Sequence, residues 1–172
     1  MNKILHLTIF LAIISAVAGG ALAFANQMTA PVIAANNLKT EQESLQKMYT
    51  EAALDDFKQV DYTGDSKTIQ KVYSYKDVYI FNMSVSGYKD GTTFLVSINK
   101  DTGVVDKYLG LSNGDTKGLG SKVLDDDSFI KGIEGKKASD HLDTISGATI
   151  SSSAVTAGIN EAADAMDDLK GE

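Results

Sequence analysis

From Ile4 to Ala25 the chain reads ILHLTIFLAIISAVAGGALAFA, without an acid, a Lys or an Arg. Its 22 residues, at about 1.5 Å each, make a helix of about 33 Å, against a hydrocarbon core of about 30 Å. A helix apolar all round has no face to turn to water. The segment therefore spans a bilayer or is removed. Lys3 and the amino terminus precede it, and the next Lys is Lys39. The positive-inside bias predicts a cytoplasmic N-terminus and residues 26–172 on the far side. Gly19-Gly20 would let other membrane helices approach closely. The competing reading is a cleaved signal peptide, for which Ala21-Leu22-Ala23 offers a small-residue site. The chain has no Cys, so a lipidated cysteine anchor is excluded.

Composition narrows the chemistry open to residues 26–172. The net charge of the chain is -7, and every basic residue is Lys. An acidic chain without Arg is a poor partner for nucleic-acid phosphates. The absence of Cys rules out disulfides, thiol catalysis and Cys-held zinc or iron–sulfur clusters. His6 lies in the apolar run and His141 stands alone, which leaves no His-based metal site. Redox chemistry would have to come from an organic cofactor, with the protein supplying binding.

Beyond Pro31, which can kink the chain or start a helix, Leu38, Leu45 and Ala52 repeat at seven. With Met48, Tyr49 and Phe57 they predict a juxtamembrane helix of about 20 residues from Asn37. Residues 68–75, 78–88, 93–99 and 104–109 alternate and are rich in β-branched and aromatic residues. The turn signals Lys76-Asp77, Lys89-Asp90-Gly91 and Lys100-Asp101-Thr102-Gly103 separate them. Strands joined this tightly form an antiparallel meander, with most of the aromatics in its core. Asp125-Asp126-Asp127 lacks the spacing of a calcium loop and reads as a helix start. Val155, Ile159, Ala162, Met166 and Leu169 recur at steps of 4, 3, 4 and 3, which is an amphipathic C-terminal helix. The expected fold is α+β: a transmembrane helix in 1–25, a juxtamembrane segment and helix in 26–60, and a domain in 61–172.

Two stretches carry candidate chemistry. Asp115-Thr116-Lys117-Gly118-Leu119-Gly120 breaks the strand pattern and permits close approach of a planar ligand. It lacks both the third glycine of a dinucleotide fingerprint and the Gly-Lys-Ser/Thr of a phosphate loop. Asp143-Thr144-Ile145-Ser146-Gly147-Ala148-Thr149-Ile150-Ser151-Ser152 runs into the C-terminal helix. Free N–H groups and the macrodipole make such a helix start an anion site, and equally a place where Ser and Thr act only as caps.

Asp143-x-x-Ser146-Gly147-Ala148-Thr149 resembles the flavinylation motif of the FMN-binding domain family. That family includes the G subunit of Rnf electron-transport complexes and the C subunit of the sodium-pumping NADH:quinone reductase. Asp115 to Gly120 is similar to the family's Glu-Thr-Pro-Gly-Leu-Gly, with Gly87-Tyr88, Asp101-x-Gly103 and the single N-terminal span also in place. Asn113, Asp115 and Lys117 depart from the family's His, Glu and Pro. The short length points towards the Rnf G subunit.

The resemblance implies FMN joined through its phosphate to Thr149. Ser146, Gly147 and Ala148 would lie around the attachment, and the N–H groups of Ile150, Ser151 and Ser152 beneath the phosphate. Thr116, Gly118, Leu119 and Gly120 would approach the ring or ribityl chain. Asp143 would be read by a flavin transferase that uses FAD as donor. The implied protein is an electron-relaying flavoprotein on the outer membrane face. Its partners would be the multi-span and iron–sulfur subunits of a ferredoxin:NAD oxidoreductase that exports sodium ions or protons. Two alternatives stay open from sequence: a stand-alone extracytoplasmic FMN protein of another redox chain, and an anchored module without redox function.

Overall fold

The computed structural model describes residues 2–89 and 91–169. These fall into two compact units that part between Glu43 and Ser44. A helix, α1 (Asn2–Met48), begins in the first unit and ends in the second. It is long and apolar enough to cross a membrane, with a mean hydropathy of 2.3 over its most apolar stretch and no protein cover there. Ile4, Leu11, Val17 and Phe24 are all exposed, as side chains made for lipid are.

The end of α1 differs from the sequence expectation. Pro31 lies inside the helix and does not interrupt it. An interior proline costs about 3 kcal/mol, and alanines on both sides of it, Ala25, Ala30, Ala34 and Ala35, are strong helix formers that offset part of this. The helix then stops at Met48; a 3-10 turn covers Leu54–Asp56, and Lys58–Val60 forms strand β1. The side chain of Leu38 lies outside the described set.

Tertiary contacts explain the early stop. The Tyr49 hydroxyl donates to Asp106 Oδ2 (2.6 Å) and sits 2.8 Å from Ser97 Oγ. Its ring centroid lies 4.9 Å from that of Tyr75. Lys107 Nζ sits 4.6 Å from the ring centroid and donates to the Met48 carbonyl (2.8 Å). A cation thus meets the negative end of the helix and satisfies one of its unpaired carbonyls. Burial, then the hydrogen bond to Asp106, push the Tyr49 phenol well above its usual range. Tyr49→Phe should lower stability by about 1–2 kcal/mol, since Ser97 and Asp106 lose a partner. Denaturant unfolding of the full chain in detergent measures this.

The sheet has five antiparallel strands in sequence order, β1 followed by β2 (Ile69–Tyr75), β3 (Val78–Ser86), β4 (Gly91–Asn99) and β5 (Val105–Asn113). The expected meander is present. Lys76-Asp77 joins Tyr75 to its partner Val78. β3 and β4 pair from Val78↔Asn99 to Ser86↔Gly91. Asp90 of the turn expected between them lies outside the described residues.

Both faces of the sheet are covered. Val72, Phe81, Met83, Phe94 and Val96 point one way, into a cluster with Val155, Ile159, Ala162 and Met166. Tyr73, Tyr75, Ile80 and Leu95 point the other way, against Leu45, Met48, Ala52 and Phe57. Adjacent residues Phe94, Leu95 and Val96 are all fully buried, because alternate side chains enter different cores. Helix α2 (Asp127–Ile133) starts where the acids predict. Asp126 accepts from the N–H groups of Ser128 and Phe129, as an N-cap does. Helix α3 (Thr149–Leu169) buries the predicted stripe Val155, Ile159, Ala162, Met166 and Leu169.

Candidate functional site

β5 runs to Asn113, four residues past its expected end, and delivers the glycine segment beside the start of α3. Between them opens a cleft of about 410 Å³, within the range of small-molecule sites. It is lined by Tyr88, Asp115, Thr116, Leu119, Gly120, Gly147, Ala148, Thr149, Ile150 and Ser151. Eight residues expected at the site therefore share one cavity: Thr116, Leu119, Gly120, Gly147, Ala148, Thr149, Ile150 and Ser151.

The cleft wall is set by close backbone approach. A Cβ on Gly120 would lie 2.5 Å from Asp115 Cβ and 2.8 Å from Ser151 Oγ, so only glycine fits. Gly147 turns the chain into α3 with φ +83, a conformation that costs other L-residues about 1–2 kcal/mol. Thr149 opens the helix with its side chain exposed. Thr149, Ile150 and Ser151 fall in the first turn, where helical N–H groups lack partners four residues back.

The hydroxyls of this stretch are not equivalent. Ser151 is 1% exposed and donates to Asp115 Oδ2 (2.5 Å). Ser152 is fully buried; its Oγ donates to the Ala148 carbonyl (2.9 Å) and accepts from Ile145 N–H (3.0 Å). The Ser152 N–H also goes to the Ala148 carbonyl. Ser152 thus works as a fastener under the turn and does not line the cleft. Gly118 donates its N–H to Ser121 Oγ (2.9 Å) and is likewise off the cleft wall. Asp143 and Ser146 line a neighbouring cleft with Asp126, Ser128, Phe129 and Gly132.

The comparisons with known proteins agree with this geometry. The model of the FMN-binding domain matches residues 87–164, which span the cleft. The G subunit of the Na⁺-translocating ferredoxin:NAD⁺ oxidoreductase complex of Acetobacterium woodii is 30% identical, over 91% of this chain and 88% of its own. The chain belongs to the FMN-binding domain family. The G subunit of the proton-translocating ferredoxin:NAD⁺ oxidoreductase complex of Clostridium ljungdahlii is 28% identical, over 99% of this chain and 95% of its own. The crystal structure of Shewanella oneidensis NqrC shares the fold at a TM-score of 0.52 and 15% identity, covering 67% of this chain and 70% of that one.

Asn113 and Asp115, two of the three departures from the family motif, prove to be partners in the FMN-binding domain. Asn113 Oδ1 accepts from Asp115 N–H (2.8 Å), and Asn113 Nδ2 donates to Asp115 Oδ2 (3.2 Å). The same carboxylate accepts from Lys89 N–H (2.7 Å), Tyr88 N–H (3.3 Å) and Ser151 Oγ. It ties the end of β5, the β3–β4 turn and the first turn of α3 together. The sequence marks Asp115 only as a shortened Glu, and Tyr88 only as a matching neighbour of Gly87; what makes them site residues is folding.

Burial by itself would raise the Asp115 carboxyl. The hydrogen bonds from Ser151, Lys89, Asn113 and Tyr88 outweigh it and hold the group well below the usual carboxylate range. Because the folded value is depressed, the stabilisation is present above the unfolded value of about 3.9 and is lost as pH falls through the folded one. Asp115→Asn should therefore cost about 2 kcal/mol at pH 7. The gap from wild type should narrow below about pH 4, as denaturant unfolding at stepped pH would show.

Proposed function

We propose that this protein is the G subunit of an Rnf-type complex, with FMN joined through its phosphate to the Thr149 hydroxyl. The observation that carries this reading is the division of labour among the hydroxyls. Ser151 and Ser152 are buried and hydrogen-bonded within the chain, whereas Thr149 is exposed, opens α3 and lines the cleft. The cleft suits the group. The first-turn N–H groups of Thr149, Ile150 and Ser151 face an anion with the positive end of the helix dipole. Leu119, Ile150 and Tyr88 offer apolar surface to a ring, and Thr116 a hydroxyl.

Attachment would be a phosphoryl transfer from FAD. A bond forms between Thr149 Oγ1 and the flavin-side phosphorus, the pyrophosphate bond breaks, AMP leaves, and the threonine proton passes to a base on the transferase. Asp143 and Ser146 sit together in the neighbouring cleft beside α2, where the transferase could read the motif without entering the flavin site. Once attached, a flavin takes up one or two electrons and so joins two-electron donors to one-electron carriers. This chain's residues hold it. Thr149 prevents its loss on the extracytoplasmic face, the helix start carries the phosphate charge, and the apolar wall keeps water from one side of the ring.

With one candidate span among the described residues, the chain leaves ion translocation to multi-span partners and electron supply to iron–sulfur subunits. In this reading α1 anchors the domain with its N-terminus in the cytoplasm. Purification through a tag on the full-length chain, from membranes of its native host in mild detergent, tests the assignment. The multi-span and iron–sulfur subunits should co-purify with ferredoxin:NAD activity. Recovery of a flavin-loaded chain without them would favour a stand-alone electron-transfer protein.

A further inference from the structure

Beyond Glu43, the exposed large apolar side chains among the described residues are Leu54, Tyr88, Leu119 and Ile150. Leu54 is at the margin, at 36%; the other three are 71%, 53% and 56% exposed. All three line the cleft that holds Thr149, although they come from the β3–β4 turn, the glycine segment and α3. The aromatic rings of the strands are covered: Tyr73, Tyr75, Phe81, Phe94 and Tyr108 are buried and Tyr79 is half-buried. An apolar patch gathered from three separate segments at a cavity marks a binding surface.

Tyr88 is the unusual member. It is the most exposed of the three, yet its backbone is fixed: its N–H and that of Lys89 both donate to the buried Asp115 carboxylate. A ring on an anchored backbone is partly ordered before a ligand arrives, which lowers the entropy lost on binding. An exposed aromatic beside two aliphatic side chains fits a flat, fused aromatic ligand, with the tyrosine stacking on it and Leu119 and Ile150 closing around it.

We infer that Tyr88 is the stacking residue for the isoalloxazine ring of the flavin tethered at Thr149, with Leu119 and Ile150 as its apolar counterparts. The inference rests on the proposed flavin attachment and adds to it where the ring lies. Asp115 then has a second part as the positioning residue that holds Tyr88 in place.

A tyrosine in van der Waals contact with a flavin quenches its fluorescence. The excited ring takes one electron from the phenol and returns it on recombination, so nothing is consumed. Phenylalanine stacks equally well but does not give up that electron. The test uses the full-length chain, produced with a flavin transferase, as wild type, Tyr88→Phe and Tyr88→Leu. Because Tyr88 is largely exposed, neither change opens the core. All three should carry the mass increment of FMN. Native wild type should be several-fold dimmer than the same protein unfolded in denaturant, where the tether remains but the stack is gone. Both variants should brighten several-fold when native and match wild type when unfolded. Tyr88→Phe should keep the visible circular dichroism of the flavin, which Tyr88→Leu should lose.

Loaded variants with wild-type native fluorescence would overturn the stacking role and leave the Thr149 attachment intact. A wild type without the mass increment would overturn both.

Discussion

On the proposed attachment, Thr149→Ala should leave the full-length protein without covalent flavin while its fold stays intact. Among the described residues, Thr149 supplies the one hydroxyl on the cleft wall that is exposed at the helix start and outside the internal hydrogen bonds of Ser151 and Ser152. Removing an exposed hydroxyl away from the core shifts stability by about 0.5 kcal/mol or less. With the proposed linkage the effect on loading should be all or none, because a phosphoester cannot form without the oxygen. Thr149→Ser restores that oxygen and should load at least in part, so the pair separates lost chemistry from lost recognition. Intact mass and thermal unfolding of the three proteins, produced with a flavin transferase, check both halves.

Gly120→Ala should be the most damaging single methyl group in the cleft. The new Cβ would stand 2.5 Å from Asp115 Cβ and 2.6 Å from its Oδ2. Asp115 cannot swing aside freely, since its carboxylate holds Ser151, Asn113 and the Tyr88–Lys89 backbone. Overpacking costs about 1–3 kcal/mol and a lost charge-assisted hydrogen bond about 1.5–3, so a loss of about 3 kcal/mol or more is expected. Loading should fall with it, because the glycine segment and the start of α3 would be forced apart. Gly132→Ala in α2 is the control. Nothing lies within 4 Å of its added Cβ, and alanine in a helix gains about 0.5–1 kcal/mol over glycine. Denaturant midpoints should move in opposite directions for the two substitutions.

What could be read from the sequence obeys physical rules of short range. The period of α3 is written in Val155, Ile159, Ala162, Met166 and Leu169, and all five are buried. The strand order comes from tight turns such as Lys76-Asp77, which leave no room for a crossover. The Asp126 cap is equally local. The end of α1 was not legible, because the heptad-like stripe continues past Met48 while Tyr49 is claimed by Asp106, Ser97 and Lys107, about fifty residues away. Local preference yields there to tertiary contacts.

The site divides in the same way. The motif places Thr149, Gly147 and Gly120 at the cavity. It cannot tell that Ser152 faces inward, since one position along a helix turns a side chain by about 100°. Nor does it reveal Asp115 as the hub of four donors, or Tyr88 as an exposed ring. Those roles arise only when the turn after β3, the end of β5 and α3 meet.

The central claim is a bond at one oxygen, and peptide mass mapping of the full-length protein from its native membrane tests it most directly. A peptide containing Asp143 to Ser153 should be heavier by FMN less water, with fragmentation assigning the added mass to Thr149. Flavin mapped to Ser146 or Ser153, or a peptide of unmodified mass from protein that still supports electron transfer, would contradict it.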